Sequence, residues 1–148
     1  PMELRPWQPA NETIFIQLLS EKSINTALRV TGDLHTLFTH YLATPSVAIS
    51  VDNTIVGGIL LDEDIDSQTL EKTHAISYFL HPDWQHQGIM TAALRAFLQN
   101  YQHTTITAEV DAANHPSIAL LQRVAFTEVT QFTNIFGQTI RLFTKETT

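Results

Sequence analysis

The 148-residue chain is 43% hydrophobic and 16% charged, which excludes disorder and fits one domain able to bury roughly 68–70% of its unfolded surface. Eight Lys and Arg against fifteen Asp and Glu leave a net charge of −7, the wrong sign for a general nucleic-acid binder and a favourable field for cationic partners such as amines. The absence of cysteine excludes disulfides, a thiolate zinc site and a thiol nucleophile.

In chain order, residues 4–7 suit a short strand. Asn11 and Glu12 then offer a cap and a favourable negative charge for a helix whose apolar stripe is Ile14, Phe15, Leu18 and Leu19. Asp33 is the cap of a second helix carrying Leu34, Leu37, Phe38, Tyr41 and Leu42, which Pro45 stops. Residues 47–51 and 54–61 read as a hairpin around Asp52-Asn53, and the acidic, polar residues 62–71 as a solvated loop. Residues 74–80 form an apolar strand closed by Pro82. After Gly88, the residues Met90, Ala93, Leu94, Phe97, Leu98 and Tyr101 recur at helical spacing. Residues 104–110 alternate as a strand, with Ile106, Ala108 and Val110 on one face and Thr107 and Glu109 on the other. Pro116 opens a short helix to about Arg123, and residues 129–136 and 139–143 make a final hairpin around Gly137-Gln138.

This order predicts a single α/β domain over residues 1–148, built on one mixed sheet without repeats or linkers. The first residues lack the basic region and apolar core of a secretory signal, and the longest uncharged stretch, residues 34–51, carries two histidines and a proline. A soluble cytoplasmic protein with no membrane association is therefore expected.

The stretch with the clearest chemistry is Tyr78-Phe79-Leu80-His81-Pro82-Asp83-Trp84-Gln85-His86-Gln87-Gly88-Ile89-Met90-Thr91, a strand, a tight turn and a helix start. A first helical turn offers unpaired N–H groups and the positive end of the macrodipole, which suits a phosphate or pyrophosphate, and Gly88 permits close backbone approach. A second stretch runs from Asn114-His115-Pro116-Ser117 to Gln122-Arg123-Val124-Ala125-Phe126. Seven histidines raise the question of a metal, but no His-Glu-x-x-His pattern or cysteine accompanies His81 and His86, so no metal site is expected. No Gly-x-Ser-x-Gly elbow supports a serine hydrolase.

Together the two stretches resemble the GNAT superfamily of acyl-CoA-dependent N-acetyltransferases. Gln85, Gly88 and Met90 match its Q/R-x-x-G-x-G/A motif, and Asn114, Ser117, Arg123 and Phe126 match its N-x-x-S … K/R-x-G-F segment. The phrases around residues 80–85 and 88–91 are similar to the branch of ribosomal-protein N-terminal alanine/serine acetyltransferases. Three positions depart from the pattern: His86 and Ala125 where glycine is common, and Met90 where Gly or Ala is usual. Ala125 is tolerable if its turn does not demand a positive φ.

The resemblance implies a mostly antiparallel, six- to seven-stranded mixed sheet flanked by about four helices, with splayed central strands. It implies acetyl-CoA as cosubstrate, with the backbone of Tyr78, Phe79 and Leu80 holding the pantetheine arm and polarising the acetyl carbonyl. Main-chain N–H groups of Gln85, His86, Gln87, Gly88, Ile89 and Met90, with the Thr91 hydroxyl, would hold the pyrophosphate, and Asn114 the pantetheine arm or a water near the sulfur. Glu109 matches the position of a catalytic glutamate and would take the amine proton, its pKa raised by burial; an ion pair or plain exposure on the strand is the other reading. Leu121 stands where many relatives carry a tyrosine acid, so Ser117 becomes the candidate proton donor to the departing thiolate. The acceptor would be a primary amine of a small molecule or a protein N-terminus, met by residues 20–44 and 132–138, in a monomer or homodimer. A non-catalytic acyl-CoA-binding or regulatory domain of the same fold is the alternative.

Overall fold

The computed structural model describes residues 1–148. Its elements are β1 (Met2–Pro6), α1 (Glu12–Ser20), α2 (Lys22–Ala27), α3 (Leu34–Leu42), β2 (Val47–Val51), β3 (Thr54–Ile65), β4 (Lys72–Leu80), α4 (Ile89–Leu98), β5 (Thr105–Asp111), α5 (His115–Arg123), β6 (Thr127–Thr133) and β7 (Thr139–Glu146), with 3-10 turns at Pro9–Asn11 and Pro82–Trp84. Seven strands form one mixed sheet in the order β1-β2-β3-β4-β5-β7-β6. The β1–β2, β2–β3, β5–β7 and β6–β7 pairs are antiparallel and β4–β5 is parallel. This is the sheet the sequence predicts, with five helices where about four are expected. The additional helix, α2, has six residues and buries only Ile24, too short a run to produce a periodic stripe. By contact the chain divides into two compact units.

The first unit comprises Pro1–Leu61 and Ser77–Ala93. Its core gathers Trp7, Phe15, Phe38 and Phe79 with Leu18, Leu19, Ala48 and Leu60. Trp7 meets Phe15 edge-on at 5.1 Å and stacks near Phe79 at 6.4 Å. Burying one such phenylalanine fully contributes roughly 1.5–3 kcal/mol. The predicted Asp33 cap forms: its carboxylate accepts from the Thr36 N–H and hydroxyl, both at 2.9 Å, and these bonds hold its pKa below the usual carboxylate value. Glycine at position 58 is required by packing, because a Cβ there would lie 2.7 Å from Trp7 Cζ2 and 2.9 Å from Phe79 Cζ.

The second unit comprises Asp62–Ile76 and Leu94–Thr148. Residues 62–65, expected in a loop, continue β3, and β4 starts at Lys72. The hairpin is closed by local polar contacts that hydropathy does not report. Asp66 N–H donates to the Glu71 carbonyl at 2.9 Å, the Asp66 carboxylate accepts from the Gln68 and Thr69 N–H groups, and Lys72 pairs with Glu63 at 3.4 Å. The parallel ladder of β4 with β5 has two register pairs, His74 with Ile106 and Ala75 with Thr107, so most of each strand lies outside it. By contrast β5 and β7 pair along seven positions, from Thr105 with Glu146 to Asp111 with Ile140. At the sheet edge, every residue of β6 is exposed.

The end of α5 corrects one expectation. Phe126 N–H donates to the Leu121 carbonyl at 2.9 Å and Ala125 N–H to the Gln122 carbonyl at 3.0 Å, the paired bonds of a Schellman cap. Such a cap puts its central residue in the left-handed region, and Ala125 has φ of 68°. The turn does demand a positive φ, and an alanine sits there under strain.

Candidate active site

The strand, turn and helix start that carry the first motif lie in the first unit as one continuous structure. Phe79 and Leu80 bury their side chains, 4% and 7% exposed, so they serve the core with their side chains whatever their main chain does. The strand is pinned at its end by His81 N–H donating to the Val56 carbonyl at 2.8 Å. Glycine at position 57 lets this happen, because a Cβ there would strike the Phe79 carbonyl oxygen and lie 3.0 Å from Leu80 Cα.

The loop that follows is built from its own residues. His81 Nδ1 accepts from the Asp83 N–H at 3.1 Å, and the Trp84 and Gln85 N–H groups donate to the carbonyls of His81 and Pro82 at 2.9 and 3.2 Å. Gln85 also reaches back with Nε2 to the Leu80 carbonyl at 2.9 Å, and Gln87 Nε2 reaches the Asp83 carbonyl at 3.3 Å. Gln85 therefore corrects its expected role: its main-chain N–H is used by the turn, and its side chain ties the loop to β4. His86 and Gly88 both take left-handed conformations, φ 63° and 77°, which curl the chain just before α4. The glycine common at position 86 in the superfamily thus answers to a conformation that His86 adopts at a cost. Helical bonding begins with Ala92 N–H to the Gly88 carbonyl at 3.1 Å, so the N–H groups of Ile89 and Met90 lie ahead of the ladder. Left-handed turns followed by a helix start, with His86, Gln87 and Gly88 exposed, form a geometry that suits an anion.

The remaining candidates lie in the second unit, on β5 and α5. Glu109 pairs in register with Leu142 of β7 and is exposed, while its strand neighbours Ala108 and Val110 are buried at 2% and 5%. The expected burial of Glu109 is therefore corrected: strand alternation puts it on the solvent face. Asn114 caps α5, its Oδ1 accepting from the Ser117 N–H at 3.3 Å, which brings these two residues together. The cap occupies the carbonyl oxygen, and the Nδ2 amide is the donor Asn114 has to offer a ligand. Ser117 is half-buried in the first turn of α5, and Leu121 is fully buried. No group of three or more His, Cys, Asp or Glu is placed to hold a metal ion, and no helix is long and apolar enough to cross a membrane.

The sequence reading named the acceptor segment 20–44 without its chemistry. The fold shows that Arg29 has φ of 51° and lines a cavity with Tyr41 and Ser77. The sequence carried no signal for it, because α2, the helix whose end sets the Arg29 backbone, is too short to produce a periodic stripe.

With this geometry in hand, the model of the acetyltransferase (GNAT) family matches residues 13–126. The chain belongs to that family. Solved structures share its fold at low identity. An acetyltransferase from Salmonella typhimurium, described with its cofactor acetyl-CoA, aligns over 98% of this chain and 93% of its own at a TM-score of 0.80 and 17% identity. A ribosomal-protein-alanine N-acetyltransferase from Brucella melitensis aligns over 97% and 99% at 0.79 and 16% identity. An acetyl transferase from Salmonella typhimurium, described as modifying the N-terminal serine of a 50S ribosomal subunit protein, aligns over 99% and 95% at 0.80 and 17% identity. No curated protein matches the chain. Ribosomal-protein acetyltransferases, the branch that residues 80–85 and 88–91 resemble, are among the structural neighbours of this chain.

Proposed function

We propose that the chain is an acetyl-CoA-dependent N-acetyltransferase that acetylates a primary amine by direct attack, without a covalent enzyme intermediate. The observation that carries this reading is the self-supported loop of residues 81–88, two left-handed residues leading into the first turn of α4. In a family of acetyltransferases, that loop fits the pyrophosphate of coenzyme A. The donors assigned to it are the N–H groups of His86, Gln87, Gly88, Ile89 and Met90, with the Thr91 hydroxyl; Gln85 fixes the loop. Main chain of Tyr78 and Phe79 is assigned to the pantetheine arm and the acetyl carbonyl. Main chain of Leu80 is assigned with them: its carbonyl accepts from Gln85 Nε2 and keeps a second lone pair. Asn114, through its amide NH₂, is likewise assigned to the pantetheine arm.

Acetyl-CoA supplies the thioester acyl group. The neutral amine nitrogen bonds to the acetyl carbon, the carbon–sulfur bond breaks, and the thiolate leaves. A primary amine is mostly protonated at neutral pH, and Glu109 is the base we assign to accept its proton, directly or through water. Because Glu109 is exposed on its strand, solvent can carry that proton away. Ser117 is the donor assigned to the thiolate, which is a good leaving group and tolerates a weak acid. The acidic net charge of −7 favours approach of a cationic acceptor, and the ribosomal-protein neighbours make a protein N-terminus one acceptor to test.

The test is titration with acetyl-CoA followed by a thiol-release assay over a panel of amines and N-terminal peptides. Binding together with amine-dependent release of coenzyme A supports the reading. Binding without release across the panel favours a non-catalytic acyl-CoA-binding domain, and no binding refutes both. Glu109→Gln should lower kcat roughly 100-fold or more and leave acetyl-CoA affinity unchanged; unaltered turnover removes Glu109 from the mechanism. Ping-pong kinetics with a trapped acetyl-enzyme would refute direct attack.

A further inference from the structure

The first unit contains a cavity of about 140 Å³ lined by leucines, among them Leu19 and Leu60, together with Arg29, Thr31, Tyr41 and Ser77. It is close to the roughly 150 Å³ of an apolar cavity that takes up benzene, enough for the body of a small aliphatic or aromatic molecule. Thr31 is exposed, so the space opens to solvent, whereas Tyr41 is only 8% exposed. Ser77 directly precedes Tyr78 on β4, which places the cavity beside the strand segment assigned to the acyl arm.

Arg29 gives this cavity its one cationic side chain, and the protein holds it there against local preference. At the end of α2, Val30 N–H donates to the Asn25 carbonyl at 3.1 Å and Arg29 N–H to the Thr26 carbonyl at 3.2 Å, a second Schellman cap. The left-handed residue of that cap is Arg29, φ 51°, a conformation glycine adopts without penalty. A strained backbone kept for one particular side chain points to use of that side chain. Arg29 and Tyr41 each also make an interaction within the protein. A cavity lined by an arginine, a tyrosine and a serine together with leucines is suited to a carboxylate on an apolar body.

We infer that the acceptor is an amine that also bears a carboxylate, held by Arg29 with Tyr41 and Ser77. The inference rests on the acetyltransferase reading and specifies its substrate class. The overall acidic field draws the ammonium end, and Arg29 selects the acid end, so a zwitterionic amino acid is favoured over a simple amine.

The experiment compares each acid with its carboxamide as acceptor: leucine with leucinamide, methionine with methioninamide, and 6-aminohexanoate with its amide. The wild-type protein should prefer at least one acid over its amide by about tenfold or more in kcat/KM. Arg29→Gly should bring that ratio near one by raising KM for the acid, without lowering the melting temperature, since glycine suits the backbone. Arg29→Lys should restore part of the preference. Equal use of acids and amides by the wild type overturns the inference, as does an unchanged ratio in Arg29→Gly. So does an equal loss on acid and amide accompanied by a lower melting temperature, which would make Arg29 structural. Acetyl-CoA titration in the same preparations separates the two levels: tight binding with no acid preference refutes the carboxylate site alone, and absent binding removes the acetyltransferase reading together with it.

Discussion

Replacing Ala125 by glycine should stabilise this protein. Ala125 is the left-handed residue of the cap that ends α5, with φ of 68°, and an L-residue pays roughly 1–2 kcal/mol for that conformation. Its methyl group is exposed, so removing it opens no cavity. Glycine gives back part of the gain, about 0.4–1 kcal/mol, through the greater freedom of its unfolded chain. The two cap bonds are main-chain bonds and survive the change, as does the packing of Phe126 and Leu121, which are 3% and 0% exposed. The net expectation is about 0.5–1 kcal/mol of added stability, or roughly 1–4 °C in melting temperature for a chain of this size. Urea unfolding should show a higher midpoint at unchanged slope. As a control, Ala93→Gly, at a fully buried position inside α4, should cost about 1 kcal/mol or more. A lower midpoint for Ala125→Gly would refute the assignment of strain to this turn.

Gly58→Ala should destabilise by about 1–3 kcal/mol in the same unfolding assay, because its methyl would press on the Trp7 and Phe79 rings; a neutral result would mean that these rings shift freely. The His35 pair predicts a pH effect. The Glu12 carboxylate, 2.9 Å from His35 Nδ1, raises the imidazole pKa above 6.5, so its stabilisation is full below pH 6.5 and fades as pH rises through the folded value. In Glu12→Gln the His35 pKa measured by NMR should fall toward 6.5, and the stability difference from wild type should be larger at pH 5.5 than at 8.5; an unchanged pKa would refute the pairing.

Much of the fold was legible because its signals are local. Helical spacing at Phe15, Leu18 and Leu19 and at Phe97 and Leu98 reports burial that each residue realises through its own helix, and alternation along Ile106, Ala108 and Val110 reports one face of one strand. The Asp33 cap was readable because a cap bond spans three residues, whereas Asn11, offered as a cap on the same signal, makes no such bond to α1 and instead accepts from the Gln8 N–H. The two motifs likewise lie on continuous chain, and they led to the family that residues 13–126 match. Helix α2 stayed hidden because six residues with one buried side chain carry no period, and residues 62–65 read as loop because a solvated strand and a polar loop have the same composition.

The sequence by itself determined the element types, the apolar faces and the residues capable of chemistry, since propensity, periodicity and side-chain pKa belong to short stretches of chain. Only the tertiary structure decided how those residues are used. Gln85 turned inward onto the Leu80 carbonyl because the turn at Pro82–Trp84 brings them within 2.9 Å. Glu109 fell on solvent because alternation along β5 turns it away from the buried face of Ala108 and Val110, and Arg29 came to line a cavity because Leu60 of β3 and Ser77 of β4 supply walls that lie far from it in sequence. Burial, strain and cavity shape depend on what distant segments place against a residue, and that information exists only once the chain is folded.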